Sequence, residues 1–118
     1  MNKHDLLMRT KSYAIRVIKV VQAMPRNEVG DILGRQLLRA GTSVGANYRA
    51  ACRAKSTADF VNKLKIVEEE CDETLYWMEL LVESGALSLR RLELLMDEGG
   101  QLLAIFVSAL KTPRARQS

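Results

Sequence analysis

The sequence predicts an all-α fold, an antiparallel up-and-down four-helix bundle, and three observations predict it. Apolar residues recur at three- and four-residue spacing in four separate stretches, the period of a helix face turned to a core. Residues that stop or start helices stand between the stretches. The connections are only a few residues long, so sequential helices should lie side by side and antiparallel.

Helix 1 is read over Asp5–Met24, with Leu7, Ala14, Val17, Ile18, Val21 and Met24 as its inner face. Pro25 ends it, since proline has no amide proton and disfavours a helical residue before it. Helix 2 starts near Val29 and runs through Leu33, Leu37, Ala40, Val44 and Ala51 to about Lys55. Gly30, Gly34, Gly41 and Gly45 fall along one side of it, each costing up to ~1 kcal/mol of helix propensity. They predict either close approach of a neighbouring backbone or a locally loose helix. No Gly-Lys-Ser/Thr follows, which excludes a phosphate-binding P-loop.

Ser56 with Asp59 has the form of a capping box and opens helix 3. Phe60, Leu64, Val67, Cys71, Leu75, Met78 and Val82 form its inner stripe, and Gly85 supplies a left-handed stop. Ser88 can cap helix 4, which presents Leu92, Leu95, Met96, Leu103, Phe106 and Leu110; Gly99-Gly100 is a candidate bend. The bundle is assigned to residues 1–110 and a basic, disordered tail to residues 111–118, which contain Pro113 and two arginines.

With 118 residues, 47% of them apolar and only two prolines, the chain is about one domain long and can build a core. Charges at positions 3, 5, 9 and 11 interrupt any secretory leader, and no apolar run nears the roughly 20 residues that cross a bilayer. A soluble cytoplasmic protein without a membrane partner is the expectation. Cys52 and Cys71 read as small core residues, and His4 lacks the companions of a metal site. No nucleophile has an adjacent histidine base, so neither metal, cofactor nor enzymatic activity is expected.

Charge is divided along the chain. Residues 1–57 hold 11 Lys and Arg against 3 Asp and Glu, whereas residues 58–110 hold 4 against 11. On helix 2, Arg35, Arg39, Arg49 and Arg53 share a face with Thr42 and Ala46, a stripe of about 27 Å. Helix 1 adds Arg9, Arg16 and Lys19. Forked arginine donors suit phosphate oxygens, although such a face can also be merely solvated or paired with the acids of helix 3.

Ser43 and Asn47 lie near the apolar face of helix 2, where Glu73 or Glu70 could accept hydrogen bonds. This predicts a structural polar lock, in preference to a catalytic pocket. Ile66, Trp77 and Leu80 on helix 3, with Leu6, Tyr13 and Val20 on helix 1, exceed what one bundle core requires. They predict a homo-oligomer interface, with broad burial in an irregular bundle as the alternative.

The stretches GRQLLRAGTSVGANYRAACRAKSTADF (34–60), EEECDETLYWMELL (68–81) and RTKSYAIRVIKV (9–20) resemble the four-helix-bundle family named for proteins encoded in intervening sequences of bacterial 23S rRNA genes. Accessory proteins of diversity-generating retroelements are related. The resemblance implies a homopentamer with a basic surface that binds nucleic acid; a reverse transcriptase is implied as partner only where one is encoded nearby. Ser43, Asn47 and Glu73 match the family pattern. Ala50 departs from it, standing where relatives commonly carry Glu, so any role of that acid is lost or passes to Glu73.

The resulting expectation is a non-enzymatic, oligomeric protein that binds RNA or DNA through Arg35, Arg39, Arg49 and Arg53, supported by Arg16 and Lys19. The alternative is an adaptor that docks an acidic protein without nucleic acid.

Overall fold

The computed structural model describes the backbone of residues 1–117 and the side chains through Lys111. It contains four helices, α1 (Lys3–Ala23), α2 (Glu28–Ala51), α3 (Thr57–Glu83) and α4 (Leu89–Gln117), and no strand among the described residues. Beyond Lys111, the expected basic tail lies outside the described side chains. None of the helices is long and apolar enough, over the described residues, to cross a membrane.

Local chemistry sets the helix ends. Asn2, Asn27 and Ser56 are extended N-caps whose side chains accept the amides of Asp5, Gly30 and Asp59. Met24, before Pro25, is extended with ψ 141° and closes α1. Gly85, with φ 81°, is a left-handed residue just past α3, where any side chain would be strained. α2 stops at Ala51, short of the expected Lys55; Arg53 therefore lies in the following turn, its amide bonded to the Ala50 carbonyl at 3.1 Å. Chain reversal into the Ser56 cap takes those residues out of the helix.

Each helix packs on the next, and α1 also meets α4, giving a rod of 48 × 22 × 20 Å. Leu37 and Val44 of α2, Leu64, Val67 and Met78 of α3, and Leu92, Leu102 and Phe106 of α4 are essentially inaccessible. Tyr48 and Phe106 meet across the core with ring centroids 5.7 Å apart. The inner face of α1 is Leu6, Thr10, Tyr13 and Val17. Tyr13, expected at an oligomer interface, is thus a core residue with no exposed surface.

The glycines explain this rotation of α1. A Cβ on Gly99 would stand 2.6 Å from the Tyr13 hydroxyl and 2.9 Å from Leu75, so the bare backbone of α4 makes room for the ring. α4 continues as helix through Gly99-Gly100, and clearance for Tyr13 is the role of Gly99. A Cβ on Gly45 would lie 3.3 Å from the backbone carbon and oxygen of Thr10. The close approach predicted from the glycines of α2 is therefore present between α1 and α2.

Candidate nucleic-acid interface

Arg35, Arg39 and Arg49 are exposed on the outer side of α2 and span about 21 Å of helix; Arg53 is exposed in the turn beyond. Their surroundings differ. The Arg39 guanidinium reaches across to α3, where it pairs with Glu70 at 3.3 Å and with Glu73, and it also donates to Gln36. Glu73 is held from a second side by the Trp77 indole Nε1 at 3.1 Å. Arg39 is thus largely committed to joining two helices. Arg35, Arg49 and Arg53 have no ion pair among the described residues.

Two grooves follow the seam between α1 and α2. The larger, about 450 Å³, is lined by Leu7, Thr10, Lys11 and Ala14 of α1 and by Thr42, Gly45, Ala46 and Arg49 of α2. No acid lines it. The other, about 370 Å³, lies near the α1–α2 turn and includes Arg26, Gly34, Arg35 and Leu38; its single acid, Asp31, pairs with Arg26 at 3.1 Å. Small residues on α2 create these grooves, because glycine and alanine leave the helix surface unfilled where α1 comes close.

The α1 contribution to the basic surface is consequently Lys11 rather than the expected Arg16 and Lys19. Arg9 turns to α4 and forms a forked pair with Glu98, its Nε donating at 2.9 Å. Arg16, two turns further along, projects from the same side, away from the seam with α2. Lys19 is exposed and lines neither of these grooves. Lys11 was visible as the basic residue four after Leu7 and three before Ala14, two residues that face α2. Without the phase of α1, that signal had no direction.

The expected lock among Ser43, Asn47 and Glu73 does not form. Ser43 Oγ donates to the Arg39 carbonyl at 2.7 Å, and Asn47 Nδ2 donates to the Ser43 carbonyl at 2.8 Å, both within α2. A carbonyl one turn back is always within reach of a short polar side chain on a helix, whereas crossing to α3 takes the length of arginine. Glu73 serves the inter-helix tie instead through Arg39 and Trp77. Of the expected interface residues, Ile66 is exposed and Trp77 and Leu80 are half-buried.

Phosphate oxygens are the ligand chemistry that the α1–α2 seam suits. Lys11 and Arg49 place exposed cations beside a shallow groove lined by no acid, with Arg35 further along α2.

Comparison with known proteins gives a consistent picture. The family model described as "23S rRNA-intervening sequence protein" matches residues 2–108. Among solved structures, a protein of unknown function from the S23 ribosomal protein family of Bacteroides thetaiotaomicron superposes with a TM-score of 0.82 at 31% identity, covering 90% of this chain and 98% of that one. No curated protein matches the chain.

Proposed function

Since the chain belongs to the 23S rRNA-intervening sequence protein family, we propose that it is a non-enzymatic, oligomeric protein that binds nucleic acid through its phosphate backbone. The observation that carries this reading is the basic α1–α2 seam: Lys11 and Arg49 flank a groove without acids, while Arg39, on the neighbouring side of α2, is neutralised from α3. Arg35, Arg49, Arg53 and Lys11 are the phosphate contacts, and a structured RNA with closely spaced phosphates is the favoured ligand. A homo-oligomer, a pentamer by the family resemblance, multiplies weak contacts by presenting several seams together.

The test is fluorescence anisotropy of a labelled RNA hairpin over a salt series. Four phosphate contacts give log affinity against log salt a slope of roughly −3 to −4, and replacing Arg49 and Lys11 by glutamine flattens it by about 1 to 2. Affinity that does not change with salt would overturn the proposal. A nuclease-treated pull-down that still retains an acidic protein would favour the adaptor reading.

A further inference from the structure

Two exposed strips on opposite halves of the bundle have matching chemistry. On α1, Met8, Ile15 and Lys19 stand two turns and one turn apart on the solvent side, with Lys11 left at the edge that borders the α2 groove; Met8 is 60% and Ile15 47% exposed, and the helix has no acid after Asp5. On α3, Ile66, Glu69, Tyr76, Leu80 and Glu83 share a face at spacings of three, seven, four and three; Ile66 is 43% and Tyr76 51% exposed. Tyr76 is braced edge-on by Trp77, with centroids 5.3 Å apart, and Trp77 is itself anchored to Glu73. A pre-ordered aromatic pair beside acids is suited to anchoring a contact.

We propose that the α3 strip of one copy receives the α1 strip of a second copy, a heterologous contact in which Ile15 packs against Tyr76 and Lys19 meets a glutamate, while Lys11 stays open in the seam. It rests on the assembled state adopted in the preceding reading and adds which faces meet. Charge decides the pairing. Two α3 strips face to face would oppose Glu69 and Glu83 to their own kind, and two α1 strips would bring together faces that carry cations and no acid after Asp5, both of which are repulsive. Only the unlike pairing buries the apolar residues and places opposite charges together. Each copy then uses one strip and offers the other, so association continues until the chain of contacts closes.

Mixing variants tests this without nucleic acid, so its failure leaves the phosphate reading untouched. In analytical ultracentrifugation of nuclease-treated protein, the wild type should sediment as an oligomer of the 13.3 kDa chain. Ile15→Asp and Tyr76→Asp, both at exposed positions, should each be monomeric with unchanged helical circular dichroism. Mixed together they should form a species of twice the chain mass and stop there, because each supplies one intact strip. Lys19→Glu, an exposed charge change that leaves the apolar residues intact, should weaken assembly most at low salt. A monomeric wild type, a Tyr76→Asp variant of wild-type size, or a mixture that stays monomeric would each overturn the proposal.

Discussion

Gly41 of α2 lies so close to Val17 of α1 that a Cβ on the glycine would stand 2.8 Å from both valine methyls. The valine has no exposed surface and cannot move outward. Gly41→Ala should therefore destabilise the protein by about 1–3 kcal/mol, overpacking exceeding the gain in helix propensity. Gly100, also inside a helix, has nothing within 4 Å of the corresponding position, and Gly100→Ala should stabilise by up to about 1 kcal/mol. Thermal unfolding of the two variants should shift in opposite directions.

Tyr13 buries its hydroxyl without a hydrogen-bond partner among the described residues. Tyr13→Phe keeps the ring and removes the unpaired polar atom, so stability at neutral pH should stay level or rise by about 1 kcal/mol. Burial also pushes the Tyr13 phenol well above its ordinary range. In the unfolded chain a tyrosine ionises near pH 10, so the folded state holds the extra proton there and stability falls as pH rises past that point. Burial raises Tyr48 in the same direction, and urea titrations at pH 7 and 11 should find the alkaline loss reduced, not abolished, by Tyr13→Phe.

Cys71 is fully buried, and burial pushes its thiol up to about 12, reinforced by Asp72 and Glu98. The thiolate is the reactive form. Native protein at pH 8 should leave Cys71 unmodified by a water-soluble disulfide reagent, with the half-buried Cys52 accounting for all rapid labelling. Denaturant should expose the second thiol.

Arg39 is about half exposed in its pairing with Glu70 and Glu73, so solvent screens the interaction. Arg39→Gln should cost less than about 1 kcal/mol of stability and should reduce RNA affinity less than Arg49→Gln does. Equal losses of affinity would show Arg39 leaving its acids to meet the ligand, which anisotropy measured on both variants would reveal.

Asp59 closes the capping arrangement of α3. Hydrogen bonds from the Lys63 ammonium, then one from the Lys55 amide, hold its carboxyl below the usual carboxylate range. A depressed folded value contributes stability above the unfolded value near pH 4 and loses it as pH falls through the folded one. Asp59→Asn should accordingly narrow the difference in melting temperature between pH 7 and pH 3.

The sequence by itself determined four helices, their order and most of their ends, because these are local matters: Pro25 and Gly85 restrict the backbone where they stand, and Ser56 caps within three residues of itself. It also determined the outer position of Arg35, Arg39 and Arg49, which follows from helical period once Leu37 and Val44 are inside. The N-caps Asn2 and Asn27 were present in the sequence too, but only the positions of the first helical residues identify them.

Tertiary structure decided the rest. The period of α1 fits more than one inward phase, and the choice that buries Tyr13 depends on the space left by Gly99 some 86 residues away. That choice turns Arg9 and Arg16 from α2 and brings Lys11 to the groove. The separation of Arg39 from Arg35 and Arg49 likewise depends on Glu70 and Glu73 of another helix. Period places a side chain on a face of its own helix; only packing fixes which neighbour that face meets, and therefore which cations of the α2 stripe remain available to a ligand.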